Sequence, residues 1–274
     1  MKQYSKLMSA VALGIISSSL VITSQTVVAQ ERQFDSFADW CENRASLSSQ
    51  AQHTVKVLLE KAETSDCLIA DWELSFRSSQ LNLEGEYIVD ISPLSSLTNL
   101  TLLKLNDNQI RDISPLSSLK NLTVLDLKNN QIEDVSSLSP LTNLAWLNLE
   151  QNQIEDVSSL SSLKKLTVVF LKGNKIKDVA NFSSLTNLAV INLANNQIVD
   201  VSSLSALTNL TWLRLDSNQI QEIAPLSSLK KLTWLDLGEN KISDLFPLSS
   251  LNNLTWLSLT NNEIIDISPL SSLT

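Results

Sequence analysis

The sequence predicts an α/β-type repeat solenoid closed at its N-terminal end by a helical cap. Three observations predict it: a 22-residue phrase repeated without insertion or deletion, strand-period alternation inside each phrase, and a non-repetitive helix-forming stretch ahead of the first copy. The phrase reads LTxLxLxxNxIxDhSPLSSLxx, with h an Ile, Leu or Val. Its copies begin at Leu100, Leu122, Leu144, Leu166, Leu188, Leu210, Leu232 and Leu254. A degenerate copy starting at Ser78 keeps Leu81, Leu83, Ile88 and Ile91.

Within each phrase, LxxLxL alternates apolar and variable positions, the period of a strand with one buried face, so each repeat supplies one short parallel strand. An Asn column follows the strands (Asn108, Asn130, Asn152, Asn174, Asn196, Asn218, Asn240 and Asn262). Its amides are placed to bond backbone groups freed by the turn, which makes it a ladder that supports the fold. The remaining segment puts Ser before Pro at 93, 115 and 269, so the serine is expected to cap a short 3₁₀-like turn that starts at Pro. Seven apolar positions per copy, for example Leu122, Leu125, Leu127, Ile132, Val135, Leu138 and Leu141, point inward. Each contributes about 1.5–3 kcal/mol when buried. No single repeat is stable alone; the stack is.

With its NxIxDhSPLSSL motif and 22-residue spacing, the chain resembles the leucine-rich repeat proteins, in particular the internalin type of bacteria, over about two thirds of its length. The resemblance implies a curved, right-handed superhelix whose parallel sheet lines the concave face. It also implies action by binding other macromolecules, with a ligand that differs from member to member.

Residues 1–29 carry Lys2 and Lys6, an apolar run from Leu7 to Ile22, and a small-residue end at Val27-Val28-Ala29. They read as a secretory signal peptide cut before Gln30. A retained membrane anchor is the competing reading, but the apolar run is short and broken by serines. No Cys follows the run, as a lipoprotein would require, and no apolar tail or sorting motif ends the sequence. The mature chain is therefore expected outside the cytoplasm, without stable membrane insertion.

Residues 30–77 form the expected cap. Its two cysteines, Cys41 and Cys67, pair as a disulfide in an exported protein. A zinc site would need more ligands at closer spacing, and the one histidine, His53, falls mid-helix. Ser49 and Gln52 are expected to form a capping box. Ala51, Val55, Leu58, Leu59 and Ala62 then make one apolar helical face, continued from a preceding short helix by Phe37, Trp40 and Cys41. Trp40 and Trp72 are expected in the core of the cap. Residues 78–274 are the repeats, and they stop without a second cap. Leu257, Leu259, Ile264, Ile267 and Leu270 are then left at an apolar edge open to fraying or end-to-end self-association.

Strand residues that do not point inward face the concave side. The column two residues after the first Leu reads Leu102, Val124, Trp146, Val168, Val190, Trp212, Trp234, Trp256. At a strand spacing of about 4.8 Å the last three form an aromatic stripe, with Phe170 beside the column. The rings are either scaffold copied with the repeat or a binding stripe, since tryptophan at this density is costly to leave bare. The next column varies: Asn82, Lys104, Asp126, Asn148, Phe170, Asn192, Arg214, Asp236, Ser258. The candidate ligand-binding residues are Trp146, Phe170, Trp212, Arg214, Trp234, Asp236 and Trp256. Aromatic anchors among mixed polar groups suit a protein partner. A polysaccharide is the alternative, because a tryptophan face stacks on the apolar face of a sugar ring.

An acidic column (Asp90, Asp112, Asp134, Asp156, Asp178, Asp200, Glu222, Asp244, Asp266) invites a calcium reading. Each acid precedes a turn by two residues, however, where it can accept backbone N–H bonds, and one oxygen per repeat fits no calcium loop. No metal or other cofactor is expected. The net charge is −9, and loss of the leader, which carries two lysines and no acid, makes it −11; nucleic acid is an unfavourable partner. With four glycines, none in a phosphate loop, and the serines far from His53, catalysis has no candidate group. The functional expectation is a secreted, non-enzymatic binding module. A structural remnant of a longer adhesin is the remaining alternative.

Overall fold

A computed structural model describes residues 34–273. The expected signal peptide at 1–29 lies outside the described residues. Among the described residues no helix is long and apolar enough to cross a membrane.

The chain enters through α1 (Phe37–Glu42), opened by a reciprocal box in which Ser36 Oγ accepts the Asp39 N–H and the Asp39 carboxylate accepts the Ser36 N–H. In α2 (Ser49–Lys61) the expected box at Ser49 and Gln52 gives way to a cap one residue earlier. Ser48 Oγ accepts the Ala51 N–H at 3.0 Å, and the Gln52 amide reaches back to the Leu47 carbonyl. The cap belongs to Ser48 because it holds an extended ψ of 154° while Ser49 is already helical. Ala51, Val55 and Leu58 are buried as the apolar face required, with Leu59 and Ala62 at its rim. Thr54 joins that face and donates from Oγ1 to the Asp90 carbonyl at 2.6 Å, which ties α2 to the first repeat.

Asp66 caps α3 (Cys67–Trp72), whose first residue is disulfide-bonded to Cys41. Trp40 is partly buried, 4.4 Å from Phe34 ring to ring. Trp72 departs from expectation: it is 54% exposed, on one outward face with Leu68, Ile69 and Phe76. Ala70 and Leu74 take the inner face of this stretch, and the tryptophan follows the helical period outward.

Nine three-residue strands then form one parallel sheet in chain order: β1 (Gln80–Asn82), β2 (Leu102–Lys104), β3 (Val124–Asp126), β4 (Trp146–Asn148), β5 (Val168–Phe170), β6 (Val190–Asn192), β7 (Trp212–Arg214), β8 (Trp234–Asp236) and β9 (Trp256–Ser258). Every strand pairs with the next in the same register, as Leu103 with Leu125 and Leu125 with Leu147. Columns in the sequence are therefore rows in space. The central residue of each strand is buried in a core that runs unbroken from Phe37 to Leu251, and Leu122, Leu125, Leu127, Ile132, Val135, Leu138 and Leu141 all lie within it. Leu257, Leu259, Ile264 and Leu270 are partly buried, and Ile267 is exposed.

The Asn column works as expected. Asn130 Nδ2 donates to the Leu105, Leu127 and Lys128 carbonyls, and its Oδ1 accepts the Ile110 N–H at 3.0 Å, so each amide joins two repeats.

On the far side, 3₁₀ turns such as Ser114–Ser118 close each repeat. The serine is the first residue of the turn and not its cap. The preceding aspartate caps instead: Asp112 Oδ1 accepts the Ser114 N–H, and Asp90, Asp134, Asp156, Asp178, Asp200, Asp244 and Asp266 repeat the bond at 2.7–2.8 Å. These N–H donors, from Ser158 and Ser268 respectively, hold the Asp156 and Asp266 carboxyls below the ordinary carboxylate range. The longer Glu222 makes no such bond among the described residues.

Candidate binding face

Because side chains alternate across a strand, burying Leu147, Leu213 and Leu235 turns their neighbours on both sides to the concave face. Constant register then aligns like positions. Trp212, Trp234 and Trp256 are direct neighbours and stack, with ring centroids 4.7 and 4.0 Å apart and planes within 16° and 1°. Each stacked pair adds about 0.5–1.5 kcal/mol beyond its buried area.

Phe170 lies two residues further along its strand than the tryptophan column. It meets Trp146 edge-on at 5.8 Å and Trp212 edge-on at 6.4 Å, and so bridges the two strands where the column holds only Val168 and Val190. Five rings thus run without a gap from β4 to β9, a span of about 24 Å at the usual strand spacing. Stacking along this axis covers both faces of Trp234 with other rings, whereas Trp256, at the end of the row, is 41% exposed and has a ring on one face only among the described residues.

The polar neighbours are bonded to one another. Arg214 is forked by Asp216 (Nε to Oδ1 2.8 Å, Nη2 to Oδ2 2.9 Å), lies 3.6 Å from Asp236 Oδ2, and sits 5.9 Å from the centre of the Trp234 ring. The hydrogen bonds that Arg214 donates to Asp216 raise the guanidinium pKa above its already high value, against the opposing effect of burial. Asp216 was absent from the candidate set. Its one signal is its place at the next outward position of the same repeat.

Asp236 is buried, and its Oδ1 accepts the Gly238 N–H at 3.1 Å. Further toward the N-terminus, Asn192 donates to Glu150 at 2.6 Å and Glu150 lies 3.8 Å from Lys128. Burial pushes the Asp126 carboxyl up, partly offset by its hydrogen bond from the Lys128 N–H.

Away from this face, grooves of about 340 and 400 Å³ open on the flank beside Asp112, Asp134 and Asp156. Their aspartates already accept turn N–H groups, and among the described residues no set of His, Cys, Asp and Glu side chains is placed to hold a metal ion.

Sequence-family comparison matches leucine rich repeats (2 copies) at residues 98–140, 142–184 and 208–250, and leucine rich repeat at 165–220. None of the curated proteins compared matches the chain. Among solved structures, an internalin (inlF) from Listeria monocytogenes is 34% identical with a TM-score of 0.68, over 84% of this chain and 76% of that one. An internalin C2 (inlC2) from the same organism is 35% identical with a TM-score of 0.70, over 75% and 91%. The leucine-rich repeat ectodomain of a plant membrane receptor kinase from Arabidopsis thaliana, solved in complex with Casparian strip integrity factor 2, is 30% identical with a TM-score of 0.63, over 71% of this chain and 26% of that one.

Proposed function

The chain belongs to the internalin-like leucine-rich repeat proteins, and from that premise we propose that it is an exported, non-enzymatic binding module that holds a protein partner on its concave sheet. In this reading residues 1–29 are a cleaved leader and the disulfide-bonded helices close the N-terminal end of the solenoid. Trp212, Trp234 and Trp256 are the anchors, with Trp146 and Phe170 extending them.

One observation carries the choice of a protein partner: inside the stack the ring faces cover one another, and only Trp256 at its end keeps a face without a ring on it. A sugar needs a bare aromatic face to stack on, and the two faces of Trp234 are covered by Trp212 and Trp256. Apolar side chains and backbone carbonyls of a polypeptide pack against ring edges and indole N–H groups, which is the contact style of protein interfaces rich in tryptophan. The plant receptor ectodomain, solved in complex with Casparian strip integrity factor 2, is a precedent for a ligand complex on this architecture.

The test is a quantitative pull-down from envelope and secreted fractions, with the mature chain beside a Trp212→Ala, Trp234→Ala, Trp256→Ala variant whose circular dichroism matches. A partner kept by the first and lost by the second supports the reading. Equal capture moves the site off the concave face, and loss of capture after glycosidase treatment transfers it to a glycan.

A further inference from the structure

We infer that the outward face of α3 is a self-association surface, on which a second copy of this chain packs antiparallel about a two-fold axis at Trp72. The inference goes beyond the concave-face reading and takes from it only the removal of the leader.

The helix does not stop at Trp72. It runs on through a wider π-helical turn, Glu73–Arg77, closed by a bond from the Ser78 N–H to the Glu73 carbonyl at 3.1 Å. A continuing α-helix would carry position 76 about 80° past position 68; the wider turn brings it back. Ala70 and Leu74 are buried beneath, and the opposite side is bare: Leu68 is 67% exposed, Ile69 51%, Trp72 54% and Phe76 76%. With whole side chains of roughly 150–250 Å², these four offer on the order of 450 Å², the size of the largest apolar patch on an ordinary monomer, where such a patch often has a function. In the exported form the stretch ahead of Phe34 is Gln-Glu-Arg-Gln, which is too polar to cover them.

Two properties select a second copy as the occupant. The apolar positions are symmetric about Trp72, with Leu68 four residues before it and Phe76 four after. An antiparallel copy therefore sets Leu68 of each chain against Phe76 of the other, and Trp72 against Trp72. The charges are antisymmetric: Asp66 precedes the apolar stretch and Arg77 follows it, so the same pairing brings Arg77 of each chain to Asp66 of the other. Both have capacity left among the described residues, since Asp66 caps α3 through Oδ1 alone and Arg77 reaches Glu73 through Nη1 alone. The area agrees as well. Two such faces bury about 900 Å² of apolar side chain, which with a polar rim makes up the roughly 1,600 Å² of a standard interface in the usual proportion.

The test is sedimentation equilibrium of the mature, oxidised chain from about 1 to 200 μM. The expected result is a monomer–dimer equilibrium in the micromolar range that the triple tryptophan variant of the concave face leaves unchanged. Trp72→Glu and Phe76→Ser, both at exposed positions and with melts matching the parent, should each weaken it at least tenfold. In an equimolar mixture of Leu68→Cys and Phe76→Cys chains, a short bismaleimide should join the mixed dimer in preference to either self-pair. A monomer at every concentration overturns the proposal. So does a dimer that survives Trp72→Glu and is lost on Ile265→Lys, which moves the contact to the C-terminal edge. A monomer that co-sediments with phosphatidylcholine vesicles through Trp72 gives the face to lipid and overturns it too, and cross-linking without preference for the mixed dimer overturns the antiparallel pairing.

Discussion

Phe170 stands edge-on to Trp212 at 6.4 Å although their strands are not neighbours, because β6 lies between them and contributes only Val190 to that column. One phenylalanine, displaced by two positions from the tryptophans, makes the aromatic surface continuous. Phe170→Ala is expected to cost about 1–2 kcal/mol of stability, less than deletion of a fully buried ring. It should also separate Trp146 from the three-ring stack. A urea melt reads the first effect; reduced capture of any partner that spans both segments reads the second. Phe170→Leu should recover most of the stability and little of the edge contact.

Loss of one Asn amide is expected to be the most damaging polar change in the repeats. Asn130→Ala leaves the buried Ile110 N–H without a partner and takes one of two hydrogen bonds from each of the Leu105, Leu127 and Lys128 carbonyls, a loss of about 2–3 kcal/mol. Asn262→Ala, where the same bonds are only partly buried, should cost distinctly less. Denaturant midpoints of the two variants, compared at equal slope, decide this.

The turn-capping aspartates set the acid limit. Asp156 and Asp266 have folded pKa values below the ordinary range because backbone N–H groups bond the ionised form. Their contribution is fully present above the unfolded pKa, near 4, and is lost as pH falls through the lower folded value. Asp126, raised by burial, acts in the opposite sense: ionising it above its folded pKa costs stability. The melting temperature should stay flat from neutral pH to about 5 and fall below 4. Asp156→Asn should shrink that fall. Asp126→Asn should raise the melt at pH 7 and change it little at pH 3.

Reduction of Cys41–Cys67 is expected to act on the cap first. The bridge closes a loop of 26 residues, worth about 3–4 kcal/mol in chain-entropy terms. Thermal scans with and without reductant should show an early loss of helical signal, while the sheet and its tryptophan fluorescence persist to higher temperature. A single transition shifted as a whole would show that cap and repeats melt as one unit.

Repeat register, buried positions, the Asn ladder and the aromatic column were legible in the sequence because a fixed period converts spacing directly into position. What was not legible depends on local choices that the period does not encode. Ser48 and Ser49 are chemically identical cap candidates, and only backbone conformation separates them. Trp72 looked like core by size, yet its place on α3 turned it outward. Arg214 was correctly placed on the concave face but not paired with Asp216, because the period assigns a side chain to a face and leaves its rotamer, and hence its partner, open.

Because every strand meets a partner one 22-residue unit away, as Leu213 meets Leu235, unequal recombination between copies of the underlying gene segment is silent in the core. It is not silent on the displayed surface. Excision of one unit between Trp212 and Trp256 would rejoin a perfectly paired sheet whose aromatic row is one ring shorter, so such a lineage can change the length and composition of what it presents while inheriting an untouched scaffold.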